Sequence, residues 1–327
     1  MTTNLFEYNS ENFRTYLHSD AECVFTLDLS EATMLEVINE YTKVKSLLSP
    51  NFAKQYSGLT HNLKAIQSEF GCTIMPIQIT DIFWHNFCAF LVNRGLAPST
   101  IKTFCSQLVT AVQWGARHKA PISMTYDFFK IPMFYRQQLA LSQDDVSRIY
   151  HFDIDKIPRR SQYLRHMHRV RDMFVLSCNL GQRYSDMRRI NKTHFDRNIF
   201  TIVQQKTGNT ARVDIDKFAL DSRTVYNILE KYDYTAPFSL DISNYNKYVK
   251  QLMQYIGFNE VVTREEKIAG RVVTQSMQKH KLITSHTARR TFATANVMRG
   301  YRYVDVRRAT GHKSESGFEK YICYGID

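Results

Sequence analysis

The chain has 327 residues, 43% hydrophobic and 13% aromatic, enough for two domains with cores of their own and too apolar for a disordered chain. No apolar run reaches the length of a membrane span, the first residues lack a basic-then-apolar leader, and the six cysteines are scattered with no CxxC pair; these features argue against a membrane protein, a secreted disulfide scaffold and a zinc ribbon. The net charge of +12 is uneven: residues 1–138 carry 11 acidic and 11 basic side chains and residues 139–327 carry 20 and 32, so the whole excess lies on the carboxy-terminal part and points to a polyanionic partner.

Residues 1–30 show no sustained period and read as an extended lead-in. From Glu31 the pattern turns helical, with Leu35, Ile38, Tyr41 and Val44 three apart. Ser49-Pro50 breaks it. Phe52, Tyr56, Leu59, Leu63 and Ile66 form a second stripe that ends at Gly71. Thr80-Asp81 caps a third helix carrying Phe83, Phe87, Phe90 and Leu91 to Gly95, and Pro98 opens a fourth carrying Ile101, Phe104, Leu108 and Val112. Residues 31–120 therefore predict a small helical domain whose aromatic stripes are core.

Pro121, Pro132 and the loss of period mark 121–138 as a linker, and 139–327 as a second domain. Ser142 predicts an N-cap ahead of Asp144 and Asp145. Val170–Cys178 reads as a buried helix. Ile199–Val203 and Ala211–Ile215 read as short strands joined by a turn at Thr207-Gly208-Asn209. Residues 222–258 return to helix, and Val272-Val273-Thr274 reads as another strand. Ser285 predicts the cap of a helix with Ala288, Phe292 and Ala295 inward, ended by Gly300; Val304–Thr310 is a short helix stopped by Gly311. The expected fold class is mainly α with a small antiparallel β-sheet: a helical amino-terminal domain followed by a mixed α/β domain.

The chemistry-bearing residues fall in the basic half. His286 and Arg289, three apart, project from one face near a helix N-terminus, a place that already favours phosphate. Gly311-His312 follows, then Tyr321 nine residues on. Upstream stand Leu180-Gly181-Gln182-Arg183-Tyr184-Ser185-Asp186 and Gln205-Lys206-Thr207-Gly208. Singly each reads as surface charge or packed aromatic. Jointly, in this order and at these separations, with Ser285-His286-Thr287-Ala288-Arg289-Arg290-Thr291-Phe292-Ala293-Thr294, they resemble the tyrosine recombinase/integrase family, most closely in wording its Bacteroides-type mobile-element and inversion enzymes. Leu96-Ala97-Pro98-Ser99-Thr100-Ile101 is similar to that family's helical core-binding (SAM-like) domain, so the resemblance covers about residues 31–327.

The resemblance implies a site-specific DNA recombinase that works without metal, nucleotide or other cofactor. Arg183 and Arg289 would clamp the non-bridging oxygens of the scissile phosphate. Lys206 would protonate the leaving 5′-oxygen, His286 would assist proton transfer around the tyrosine, His312 would hydrogen-bond the phosphate, and Tyr321 would attack to give a 3′-phosphotyrosine. Asp186 would support the site. It also implies a cytoplasmic, nucleoid-associated bacterial protein, acting as a tetramer on two paired duplex sites, with accessory DNA-bending or directionality factors as further partners and no membrane. Lys102 and Arg94 in the helical domain, and Arg188, Arg189, Lys192, Arg212 and Arg290 in the basic half, are candidates for DNA phosphate contacts.

This chain departs from the family pattern in four places. Gln182 stands where an apolar residue usually precedes the arginine, which changes the packing behind it. Tyr324, three residues after Tyr321, is a competing nucleophile. Only six residues follow Tyr321, a minimal tail for docking a neighbouring subunit. Residues 1–30 are too short for a separate arm-type DNA-binding domain. The alternatives are a type IB-like topoisomerase, which shares the clamp and tyrosine but reseals one strand, and a non-catalytic DNA-binding accessory protein. No carboxylate cluster or His/Cys ligand spacing favours a metal-dependent nuclease.

Overall fold

The computed structural model describes residues 27–123, 138–268 and 271–323. Most of the expected lead-in and linker, and Tyr324, lie outside the described residues. The chain divides into two compact units, Met1–Tyr135 with Lys267–Val272, and Arg136–Glu266 with Val273–Asp327.

Among the described residues, four α-helices build the first unit. Thr33 opens α1 (Met34–Ser46) through a reciprocal capping box with Glu36. Its buried stripe is Met34, Val37, Ile38, Tyr41 and Thr42, not the three-apart set read from the sequence. A helix buries positions i, i+3, i+4 and i+7, so Leu35 and Val44 fall on the flanks. α2 (Phe52–Phe70) buries Tyr56, Leu59, Leu63 and Ile66 and stops at left-handed Gly71. Thr80 caps α3 (Asp81–Asn93), which buries Trp84, Phe87 and Leu91 and leaves Phe83 and Phe90 half-buried. α4 (Pro98–Ala116) starts on its proline and buries Ile101, Phe104, Leu108 and Val112.

In the second unit Ser142 caps α5 (Gln143–His151) through a capping box with Asp145. α6 (Ser161–Leu180) is the buried axis: from Val170 nearly every residue is enclosed. It ends at Gly181, left-handed at φ 67°, and the chain enters the single turn α7 (Tyr184–Met187). A three-stranded antiparallel sheet follows in the order β1 (Phe195–Asp196), β2 (Ile199–Val203), β3 (Thr210–Asp214), with Phe200 opposite Val213 and Ile202 opposite Ala211. β2 has the expected bounds, and β3 starts and ends one residue earlier than the strand expected at Ala211–Ile215. After the turn α8 (Ile215–Phe218), the expected helix over 222–258 is two, α9 (Ser222–Lys231) and α10 (Ile242–Ile256). Asp233 and Tyr234 adopt positive φ between them and Pro237 follows, so the helix cannot continue. β4 (Val261–Ile268) and β5 (Arg271–Gln278) form a hairpin longer than the short strand expected.

α11 (Lys279–Leu282) leads to α12 (Ser285–Met298), which packs along α6. Thr284, not Ser285, is its N-cap, paired with Thr287 in a capping box. Phe292 and Ala288 are fully buried, whereas Ala295 is only half-buried and Asn296 takes the inward place, donating to the Phe218 carbonyl. α13 (Tyr303–Thr310) stops at left-handed Gly311, and α14 (Glu315–Glu319) delivers the chain to Tyr321. Among the described residues no helix is long and apolar enough to cross a membrane.

Candidate active site

Three turns and one helix meet where α6 ends. Gly181 can take its left-handed turn against α12 because it lacks a side chain: a Cβ there would lie 2.3 Å from the Phe292 ring. This close approach brings the Gly181 carbonyl to Arg289, whose Nη1 donates to it at 3.1 Å. Arg289 Nη2 donates to the Thr310 carbonyl at 2.7 Å, at the buried C-terminal end of α13. The side chain is 0% exposed, and its Nε has no hydrogen-bond partner among the described residues. Burial, then the charge of Arg183, pulls its pKa down to about 9. A charged guanidinium so enclosed, with a donor still open, calls for an anion.

Arg183 is the N-cap residue of α7 and is half-buried, held through Nη1 by Gln204 Oε1 at 2.7 Å. Asp186 is fully buried one turn later. Its Oδ1 accepts from the Gln205 backbone at 2.8 Å and from Arg189 at 3.2 Å, which pins the β2–β3 turn to α7. Lys206 stands exposed on that turn, near enough for its charge to act on His286.

His312 lies beside Arg289, with Nε2 3.0 Å from Arg289 Nη2 and Nδ1 2.8 Å from Thr310 Oγ1. Arg289 Nη2 is also 3.3 Å from Nδ1, and because the guanidinium can only donate, a ring nitrogen of the neutral imidazole accepts from it. Burial, then Arg289 and Arg183, pushes its pKa down to about 3. His286 is on the exposed first turn of α12; packing around the ring, then Arg290, Arg289, Arg183 and Lys206, lowers its pKa as well.

The Tyr321 ring enters this group from the same chain. Its centroid is 4.6 Å from that of His312 and 6.5 Å from that of His286, and Arg289 Cζ is 5.3 Å from it. Thr294 on α12 fixes the segment: its hydroxyl donates to the Tyr321 carbonyl at 3.3 Å and accepts from Cys323 N at 3.0 Å. Arg183, Lys206, His286, Arg289, His312 and Tyr321 thus belong to one region of the second unit, with Asp186 beneath it.

The outlying cations are placed differently. Arg290, expected as a surface contact, is half-buried with its guanidinium 5.9 Å from the centre of the Tyr321 ring and belongs to this region. Arg189 is tied to Asp186 and the Val203 carbonyl, and Lys192 to Asp233 at 2.7 Å. Arg188 and Arg212 are exposed in the second unit. In the first unit Arg94 is exposed over the Phe90 ring and Lys102 is half-buried on α4. Sequence reasoning missed Gln204 and Thr294. Gln204 abuts the Gln205–Gly208 motif and Thr294 closes the His286 motif, but nothing in either pattern says that they point inward. Among the described residues no group of three or more His, Cys, Asp or Glu could hold a metal ion.

No protein-family model and no curated protein matches the chain. Solved structures do. A lambda integrase dimer bound to a COC′ core site matches at TM-score 0.66 and 16% identity, over 90% of this chain and 97% of that one. The Tn1549 transposon integrase in complex with a circular intermediate DNA matches at TM-score 0.61 and 13% identity, over 90% and 96%. XerH site-specific recombinase bound to difH substrate matches at TM-score 0.58 and 14% identity, over 90% and 83%. Through these likenesses, and with its mainly helical build and small antiparallel sheet, the chain has the fold of the tyrosine recombinases.

Proposed function

We propose that the chain is a site-specific DNA recombinase with Tyr321 as nucleophile. The observation that carries this reading is the Tyr321 ring lying within its own chain's cluster of Arg289, His312 and His286. In the reaction the Tyr321 oxygen attacks phosphorus, the P–O5′ bond breaks, and a 3′-phosphotyrosine stores the bond energy. The tyrosine passes its proton to His286 as its oxygen bonds to phosphorus, and the 5′-oxygen receives one from Lys206 as it leaves. Arg183 and Arg289 stabilise the charge that grows on the non-bridging oxygens, which lowers the barrier without a metal or a nucleotide. A free tyrosine has a pKa near ~10, and the surrounding cations favour its phenolate as it forms. Reversal onto another 5′-hydroxyl completes strand exchange.

The partners proposed with it are duplex recombination sites and further copies of this chain, as a tetramer on two paired sites, with accessory bending or directionality factors. The DNA-bound state of the similar integrases, one of them a tetramer on a Holliday junction at TM-score 0.61, supports the first two. The helical unit, including Lys102 and Arg94, would hold core-site DNA, and Arg188 and Arg212 would contact phosphates. The basic excess of the second half supports this. A cytoplasmic, nucleoid-associated location goes with the same reading.

The test is covalent trapping on nicked suicide substrates drawn from DNA flanking the gene, without metal or ATP. An adduct lost in Tyr321→Phe but kept in Tyr324→Phe establishes the nucleophile; the reverse pattern moves it to Tyr324. No adduct on a site the protein binds tightly would favour an accessory DNA-binding role.

A further inference from the structure

Behind the arginines lies a polar pair that no motif accounts for. Gln182 and Gln204 are 0% and 1% exposed. Gln204 Nε2 donates to Gln182 Oε1 at 3.0 Å and to the Thr310 carbonyl at 2.8 Å. Its Oε1 accepts from Arg183 Nη1 at 2.7 Å and from Thr207 Oγ1 at 3.0 Å. Both donors and both acceptor sites of this amide are therefore used. Gln182 Nε2 in turn donates to the carbonyls of Leu180 and Ala309 at 2.8 and 2.9 Å.

A buried amide left unpaired is costly, and a fully paired one is rigid. Packing adds to the constraint. A Cβ on Gly311 would lie 2.6–2.9 Å from the end of the Gln204 side chain, so the glycine is what lets the amide reach the end of α13. The Thr310 carbonyl that Gln204 holds also accepts from Arg289 Nη2. One neutral amide thus touches Arg183 directly and Arg289 through a shared carbonyl.

We propose that Gln204, supported by Gln182, is a positioning residue that holds Arg183 in register with Arg289, so that both guanidinium groups face one phosphate. The role rests on the recombinase reading. Its chemistry explains the residue type. A carboxylate at position 204 would pair with Arg183 and neutralise charge meant for phosphate, whereas an amide oxygen orients the guanidinium and leaves its charge intact. An apolar residue would leave Arg183 free to swing.

The experiment measures single-turnover adduct formation at saturating DNA, with non-covalent affinity taken in the Tyr321→Phe background. Gln204→Met keeps the side-chain length and loses every side-chain hydrogen bond. Cleavage is expected to fall about 10–100-fold, the effect of a small misplacement of a reacting group, while affinity stays within about threefold. Because Gln204 acts through Arg183, the double variant Arg183→Ala/Gln204→Met should cleave no more slowly than Arg183→Ala alone. If Gln204→Met does not fold, Gln204→Glu has nearly the same shape and should cleave at least about tenfold more slowly than the native chain. An unchanged rate in the variant, or penalties that multiply in the double variant, overturns the assignment. Absence of an adduct from the native chain on DNA it binds overturns the recombinase reading itself, and the role of Gln204 with it.

Discussion

His312 is a neutral ring at physiological pH in the free protein, and under the proposed function its proton balance should change sign when DNA arrives. Its pKa is pushed down to about 3 in the free protein by burial and by Arg289 and Arg183, against 6.5 for an ordinary histidine. Between those values the unfolded chain binds a proton that the folded chain does not, so stability is lost as pH falls from about 6.5 toward 3. His286, shifted the same way, adds to the loss. The melting temperature of the free protein should fall between pH 7 and pH 5, and fall less in His312→Gln. A phosphate between the arginines should reverse the bias, because its charge favours a second proton on the ring, beside the nitrogen to which Arg289 now donates. Calorimetry in two buffers of different ionisation enthalpy should show proton uptake on DNA binding near pH 6, and less uptake in His312→Gln. The identities behind this behaviour were legible in the sequence, since Arg183, His286, Arg289, His312 and Tyr321 fall in recognisable local patterns. Gln204 was not, because an amide declares a role only through its partners, and those lie on α13 and α7, far away along the chain.

The helices show what periodicity can and cannot decide. Apolar stripes marked the four described helices of the first unit, and a stop glycine, a capping threonine or an opening proline bounded the last three, because capping and face burial are local. Pro237 marked a break between α9 and α10, but its position was not legible, because the two residues at positive φ that make the turn, Asp233 and Tyr234, are neither of them glycine. Gly181 shows the opposite case, a residue whose type is dictated by an element it does not belong to. It lies at φ 67° with the Phe292 ring of α12 where a side chain would be. Gly181→Ala must therefore bear both backbone strain and overpacking, a destabilisation of about 3 kcal/mol. Chemical denaturation of the full chain measures it. Gly208→Ala is the control, also at positive φ but with open space around it, and should cost only about 1 kcal/mol.

Across the molecule, charge and chemistry share one half. The first 138 residues balance their acids and bases, and the rest carry the whole +12. Binding to DNA should then weaken steeply with salt, and the slope should come from the second unit. Replacing the exposed Arg188 and Arg212 together by alanine should weaken binding to all sequences alike and reduce the slope of log K against log salt by about 2. An unchanged slope in a titration from 50 to 200 mM salt would place these residues away from the duplex. The asymmetry was readable by counting; the joining of Tyr321 to the arginine-bearing helix was not, because Thr294 gives no sign in the sequence that it bonds on both sides of Ile322. That tether has a consequence for mixed populations. A copy whose tyrosine is stapled to the helix bearing its own Arg289 has none to lend. Tyr321→Phe and Arg289→Lys chains mixed on one substrate should fail to complement each other, and native protein diluted with Tyr321→Phe should lose first-strand cutting in proportion to the fraction replaced. Appearance of adduct in the mixture of the two variants would mean that tyrosines are exchanged between neighbours. Under the proposed function, without such exchange every copy would be a complete cutting tool, and the damage of a mutation would stay with the copy that carries it.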